Sequence, residues 1–302
     1  MVAAGICSLR LRLSSLLLGF CLSCGGAWAG PALDRIKQTG TITVGYRESA
    51  VPFSYLDDKQ KPVGYAMDLC ERLVEAVRKQ LQLKSINVKY RMVTPVDRIA
   101  MIEQHNIDME CGATVNSADR RMKVAFTVPH YISGTRYVVR SDSKINDLRD
   151  FEGKKLSSTE KTTPLSAIKR ANQERLLGIK IVEVPDHSKG MNMVENGDAD
   201  GFAMLDVLLY GLIIAKPDPD QFKVVGKFLT IEPSAIMLSK DDPELKQIFD
   251  EEMKRLIATR EAHALYDRWF LKPIPPRGLS LGVPMSYLLK DFWKYPSDQV
   301  PY

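Results

Sequence analysis

From Thr41 onward the chain alternates short β-branched runs with longer stretches of helical period. Thr41-Ile42-Thr43-Val44-Gly45 reads as a strand. A polar loop, Tyr46-Arg47-Glu48-Ser49, follows it and runs to Pro52-Phe53. Beyond Gly64, apolar residues at Leu69, Cys70, Leu73, Val74 and Val77 keep to one face of a helix. Asn87 to Val93 alternates as a second strand. Thr94-Pro95-Val96-Asp97 carries the marks of a helix start: Thr94 as the cap, Pro95 at the first helical position, and Asp97 near the positive end of the dipole. Ile107-Asp108-Met109-Glu110-Cys111 is a third strand, leading into Gly112-Ala113-Thr114-Val115. This order predicts an α/β module built on a parallel sheet.

The same grammar then repeats. Thr135 to Arg140 is a strand running out of the first module, and Lys154 to Thr159 leads into a turn. Thr163-Pro164 opens a helix that reaches Leu177-Gly178. Ile179 to Val184 is a strand, Asp186 suits the cap of the next helix, and Asp200 to Leu205 is a further strand. Residues 206–215 form a very apolar helix. After Val224-Val225 come the strand Ser234–Leu238 and one long amphipathic helix from Asp242 to Phe270. No Pro/Gly/Ser-rich linker divides the modules. The expectation is therefore two α/β lobes joined by strand-like crossings: residues 30–139 and 234–302 in the first, 140–233 in the second, with hinges near 138–142 and 229–235. Open parallel sheets bind ligands at the carboxyl ends of their strands, so the natural site is the cleft between the lobes.

Residues 1–29 do not belong to this pattern. They hold Arg10 and Arg12 but no acid, an apolar stretch centred on Leu16 to Phe20, and Ala27-Trp28-Ala29 as a small-residue cut site. That is the layout of a cleaved signal peptide, and its apolar run is short of the roughly 20 residues of a membrane span. A lipid-acceptor role for Cys24 fits poorly with Cys21-Leu22-Ser23 before it. Export then sets the rest. Without Arg10 and Arg12 the 42 Lys and Arg become 40 against 37 Asp and Glu, a net charge of +3, too mild to favour nucleic acid. Of five cysteines only Cys70 and Cys111 remain after cleavage; in an oxidising compartment they can pair, or they can be two buried small hydrophobes. The histidines at 105, 130, 187 and 263 are scattered, so neither a metal site nor a cofactor is expected.

The loops after the strands are one-sided in charge. Arg47 follows the first strand, Arg98 lies in the first turn after the second, and Arg120 lies beyond the third. In the second module Thr159, Lys161 and Thr162 precede one helix start and His187 sits at another. Helix N-termini offer free N–H groups and partial positive charge, and arginine adds a planar fork for a carboxylate. One arginine alone is usually a solvated surface charge. Three at strand ends beside two helix starts suit a small acidic molecule.

These residues also carry a family resemblance. Gly45 to Tyr55, Val63 to Leu69, Glu110-Cys111-Gly112-Ala113-Thr114 with Arg120, Phe126-Thr127, Pro185-Asp186-His187, Asp241-Asp242-Pro243 and Trp269 to Pro276 resemble the amino-acid-binding proteins of bacterial ABC importers, the glutamate/aspartate-binding group above all. The resemblance runs in order through essentially the whole chain after residue 29. It implies a two-lobed periplasmic binding protein fold of type II, a periplasmic monomer, and a membrane permease as partner. It implies that Arg120 clamps a ligand α-carboxylate with help from the backbone at Thr114 and the helix start at Thr162. Arg47 and Arg98 would take a side-chain carboxylate, Thr159, Thr162 and His187 would close from the second lobe, and Asp206 would hold the ammonium.

This chain departs from that pattern at several points. The group carries hydroxyl residues where Pro95, Ala113 and Val115 stand, Asp-Asp where Leu205-Asp206 stands, and glycine where Lys161 stands. Each lost side-chain hydrogen bond is worth about 0.5–1.5 kcal/mol, more to a charged group. Anion recognition is kept and amine recognition is weakened, which makes a dicarboxylate or another acidic metabolite a rival to glutamate. Two further readings stand beside it. Some dehydratases acting on carboxylated cyclohexadienes resemble the same fold, with Glu48 and His187 as acid and base, though the sequence shows neither the hydrogen-bond reach nor the tuned pKa that catalysis needs. A sensor module is the other, and it would need a separate output partner.

Overall fold

The computed structural model describes residue 1 and residues 31–299. Apart from Met1, the expected signal segment lies outside the described residues. The first part of the chain forms α1 (Pro31–Thr39), β1 (Thr41–Tyr46), β2 (Ser49–Ala50), β3 (Ser54–Leu56), β4 (Pro62–Val63), α2 (Tyr65–Gln80), β5 (Asn87–Met92), α3 (Arg98–Glu103), β6 (Met109–Cys111), α4 (Ala118–Arg121), β7 (Ala125–Phe126) and β8 (Tyr131–Ser133). There follow β9 (Thr135–Arg140), β10 (Lys155–Thr159), α5 (Thr163–Glu174), β11 (Lys180–Val184), α6 (His187–Glu195), β12 (Gly201–Leu205), α7 (Asp206–Ile214), β13 (Phe222–Val225) and β14 (Glu232–Ser234). The last are β15 (Met237–Leu238), α8 (Pro243–Ala258), α9 (Glu261–Phe270) and α10 (Tyr287–Phe292).

Two five-stranded sheets result, ordered β5-β1-β6-β15-β7 and β11-β10-β12-β9-β13. In each, three adjacent strands are parallel: β1 pairs with β5 and β6, and β10 with β11 and β12. Antiparallel strands complete both sheets, β15 beside β6 and β7, and β9 beside β12 and β13. Between them β8 and β14 pair as a two-stranded antiparallel crossing. Their carboxyl ends bring β1, β6, β10 and β12 toward one cleft, where open α/β sheets present their loops.

Three expectations shift. Thr135–Arg140 does not close the first module at 139: it pairs with β12 and β13 and belongs to the second sheet. The first crossing is therefore Tyr131–Ser133, upstream of the expected 138–142, whereas the second, Glu232–Ser234, falls inside 229–235. The strand expected over Ser234–Leu238 is split, because its first half pairs across the hinge and its second half enters the first sheet. The expected single helix from Asp242 to Phe270 breaks at Arg260, whose φ of +64 is left-handed. Arg255 donates to both Glu252 and Glu261 across this turn. The break lets Leu256 and Ile257 on one helix and Ala262 and Tyr266 on the next bury their faces in the same core.

The lobes touch at more than the crossing. A methyl group at Gly211 in α7 would lie 2.2 Å from the carbonyl oxygen of Val51, just past β2, so only glycine permits this approach of the second lobe to the first. Phe53 and Tyr65 pack edge-on to each other and meet Tyr131 and Phe270 edge-on respectively, and Tyr131, in the crossing itself, stacks on Tyr266 and Phe270. Among the described residues no helix is long and apolar enough to cross a membrane.

Cys70 in α2 and Cys111 at the end of β6 form a disulfide across a sequence separation of 41 residues. It ties a core helix to the strand from which Gly112-Ala113-Thr114 departs. Closing a loop of that length restricts the unfolded chain and contributes about 2–4 kcal/mol. The double variant Cys70→Ser/Cys111→Ser should lower the free energy of urea unfolding by that amount, and reducing agent should leave the variant unchanged while destabilising the parent.

Candidate ligand-binding site

Four strand ends and two helix starts build one cavity. Its lining includes Arg47, Arg98, Thr114, Arg120, Thr162 and His187, together with Ala113, Val115, Thr163, Pro164, Met204, Leu205 and Leu208. The free space left among these side chains is about 20 Å³, room for about one water and far below the ~300–1,000 Å³ of an open small-molecule pocket. Residues from both lobes contribute, so the cavity exists only with the lobes together.

Arg47 leaves β1 with its backbone N–H donating to Ser54 Oγ at 2.9 Å. Arg98 is the first residue of α3, preceded by a reciprocal pair of hydrogen bonds in which Asp97 N–H donates to Thr94 Oγ1 (3.2 Å) and Thr94 N–H to Asp97 Oδ1 (2.7 Å). Thr94 and Asp97 thus bond each other across the turn, but the helix begins at Arg98 with Asp97 at its N-cap position, so Thr94 is not its cap and Pro95 not its first residue. Arg120 lies in α4 and donates through Nη1 to the Val115 carbonyl at 2.9 Å. Both Arg120 Nη2 and Arg98 Nη2 donate to one acceptor across the cleft, the Lys161 carbonyl, at 3.0 and 3.3 Å. Lys161 holds that carbonyl outward from a left-handed backbone, φ +56, a conformation that costs a side-chain-bearing residue more than glycine.

The three guanidinium groups are buried, at 5%, 3% and 7% residue exposure for Arg47, Arg98 and Arg120. Nε and Nη1 of Arg98 have no partner, and neither does Thr114 Oγ1. Burial above all, and then the charge of Arg98, pull the Arg47 guanidinium down to about 10 and that of Arg120 to about 9; Glu110 offsets part of this at both. Arg98 is lowered by burial too, against the pull of Glu110 and Asp97. Positive charge has been gathered here in excess of what the protein supplies to neutralise it. A bound carboxylate would relieve that cost.

On the opposite lobe, Thr162 caps α5: its hydroxyl donates to the Thr159 carbonyl (2.6 Å) and accepts from Leu165 N–H (3.3 Å). What Thr162 offers the cavity is therefore the N–H end of the helix. Thr159 stands behind the cavity wall, its hydroxyl 2.9 Å from His187 Nδ1, and orients that ring. His187 begins α6, after Asp186, which caps the helix by accepting from Lys189 N–H at 2.8 Å. Burial first, then Arg47 and Arg98, hold His187 well below its ordinary value, so the ring is neutral.

Asp206 is not in this cavity. It is the first residue of α7, and Gly134 N–H points at its Oδ1 (3.4 Å) while its own N–H donates to the Gly134 carbonyl (2.9 Å). Leu205, its neighbour, takes the place on the lining. Glu48 is exposed and lines an adjoining hollow with Met92, Pro95 and Pro185, which shares Arg47 with the cavity. Thr163, Pro164, Met204 and Leu208 were missed as lining residues; their positions at helix starts and a strand end were the available signal. Among the described residues no group of His, Cys, Asp and Glu is placed to hold a metal ion.

Comparison with known proteins places this geometry. The family model described as bacterial extracellular solute-binding proteins, family 3, matches residues 42–272. An L-glutamate/L-aspartate-binding protein of Pseudomonas aeruginosa is 38% identical over 268 residues, covering 88% of this chain and 89% of that protein. A glutamate/aspartate import solute-binding protein of Escherichia coli K12 is 35% identical over 271 residues, 90% of each. Among solved structures, a mutant of the arginine-binding protein of T. maritima superposes with a TM-score of 0.70 at 22% identity, over 79% of this chain and 98% of that one. An ancestral amino acid-binding protein, described as a precursor of cyclohexadienyl dehydratase, superposes with a TM-score of 0.66 at 24% identity, over 78% and 98%. These two likenesses show the fold alone.

Arg120→Ala should leave folding intact but cost affinity for an acidic ligand on the order of 2–5 kcal/mol, as when one partner of a buried charge pair is removed. Arg121→Ala is the control, since Arg121 is exposed and only donates to Asn116 Oδ1; calorimetry giving equal losses for both would refute the clamp. His187 also has a signature in stability. The unfolded chain takes up its proton near the ordinary value of 6.5 while the folded ring does not, so stability is lost as pH falls below 6.5. His130, held down to about 3 by burial, acts in the same sense. Between pH 6 and 5, His187→Gln should flatten the pH dependence of urea unfolding by roughly 1.4 kcal/mol per pH unit relative to the parent.

Proposed function

Because the chain belongs to family 3 of the bacterial extracellular solute-binding proteins, we propose that it captures a small acidic molecule of the glutamate/aspartate class in the periplasm and delivers it to the membrane permease of an ABC importer. The observation that carries this reading is the convergence of buried Arg47, Arg98 and Arg120, with Nε and Nη1 of Arg98 unpartnered, on one cavity between two type II lobes. Arg120 would take one carboxylate and Arg47 and Arg98 another, while the start of α5 and neutral His187 meet the ligand from the second lobe. Closure would turn on the β8–β14 crossing as a hinge. The protein would act as a monomer, with the closed lobes presenting the face the permease reads.

The geometry gives the dehydratase reading little support. Its acid, Glu48, is exposed and off the cavity, and its base, His187, has Nδ1 engaged by Thr159 and little proton affinity. General acid–base chemistry needs a group of tuned pKa within reach of the substrate, and the lining offers none of carboxylic type.

Thermal shift across the amino acids and common organic acids tests the proposal, with native mass spectrometry of ligand carried through purification. An acidic ligand at about 100 times its Kd should add about 2.7 kcal/mol of stability. Stabilisation by neutral or basic amino acids, with acidic molecules inert, would refute the reading. Turnover of a prephenate-like substrate would restore the enzyme.

A further inference from the structure

The cavity lining combines two chemistries. Arg47, Arg98 and Arg120 are cationic, whereas Ala113, Val115, Pro164, Met204, Leu205 and Leu208 are apolar. No Asp or Glu is among its lining residues. Three carboxylates lie nearby without lining it, and the two oxygens of one of them, Glu110, have no hydrogen-bond partner. Asp206 faces the Gly134 backbone at the crossing. Glu232, at the hinge, accepts from the Thr230 hydroxyl at 2.6 Å. Glu110 is fully buried behind the arginines: a methyl group at Gly112 would meet its Oε1 at 2.3 Å and the Arg47 stem at 3.2 Å. It tempers the arginines from behind and does not reach the cavity surface.

An amino acid brings an ammonium group as well as its carboxylates. Here that group would leave water beside three guanidinium groups and apolar side chains, with no carboxylate to receive it. An unpaired buried charge costs several kcal/mol. Two carboxylates, by contrast, would find the unpartnered Arg98 Nε and Nη1, the Arg47 guanidinium, the unpartnered Thr114 hydroxyl and the start of α5 among the lining groups. We propose that the preferred ligand is a short dicarboxylate without an amine, and that Leu205 is the residue that sets this preference. The proposal rests on the reading of the protein as a binder of small acidic molecules.

Calorimetric titration of the protein, freed of co-purified ligand, compares succinate and glutarate with aspartate and glutamate. The expected result is at least tenfold tighter binding of the better dicarboxylate than of either amino acid. Leu205→Asp should move that ratio at least tenfold toward the amino acids. Leu205→Asn, which supplies a neutral acceptor with a smaller folding risk, should move it the same way by less. Amino acids binding tighter than, or within tenfold of, the dicarboxylates would overturn the proposal and leave the acidic-ligand reading standing. So would a folded Leu205→Asp protein with an unchanged ratio. If none of the four acids binds, both readings fall. Should neither Leu205 variant fold, the parent's own ratio decides.

Discussion

The structure depends on bringing three guanidinium groups out of water at one place. Each alone would be expelled to the surface, because a buried charge needs a partner. Here the fold holds them by means other than ion pairing. Arg120 is fixed by the Val115 carbonyl, Arg98 and Arg120 share the Lys161 carbonyl, and Glu110 lies behind Arg47. Backbone oxygens orient the arginines without cancelling their charge. The remaining attraction for an anion is what a capture protein uses.

The Lys161 carbonyl joins this charge to the closure of the lobes. Arg98 and Arg120 belong to the first lobe and Lys161 to the turn that precedes α5 in the second. Both hydrogen bonds therefore exist only when the cleft is shut. A strained left-handed residue persists where its surroundings impose the conformation, and this one delivers an acceptor to two cations at once. The contact between the lobes and the orientation of two arginine forks thus rest on the same carbonyl oxygen.

Much of this was legible in the sequence, for definable reasons. Arg47, Arg98 and Arg120 were found because parallel strands end at the cleft, and strand ends show in local pattern. Helix starts at Thr162 and Asp186 were readable because caps are local chemistry, whereas the start placed at Thr94 fell a turn early. What failed was long-range. Nothing in Thr135–Arg140 says that its partners are Phe202 to Leu205 rather than strands of the first sheet, since pairing is a tertiary choice. The turn at Arg260 carries neither Gly nor Pro, so helical period ran straight through it. Asp206 was misplaced for a subtler reason: it adjoins Leu205 at a strand-to-helix junction, where neighbouring side chains take different directions. The leucine meets the cavity while the aspartate meets the backbone of the crossing.

That crossing is more than a pivot. Asn116 N–H donates to the Pro233 carbonyl (2.8 Å), Ala235 N–H to the Thr114 carbonyl (3.1 Å) and Ser234 Oγ to the Ala113 carbonyl (3.3 Å). Residues 113–116 are thus stitched to the hinge strand along their length, and their other end is pinned by the Cys70–Cys111 disulfide. On the opposite side Gly134 holds the start of α7, next to Leu205. A rotation about β8 and β14 must carry with it the loop bearing Thr114 and Val115 and the junction bearing Leu205. The residues lining the cavity and the residues that bend are covalent neighbours or hydrogen-bond partners. The loop bearing Thr114 and the junction bearing Leu205 therefore share backbone hydrogen bonds with the strands that join the two sheets, so a displacement of β8 or β14 would be felt in the cavity lining.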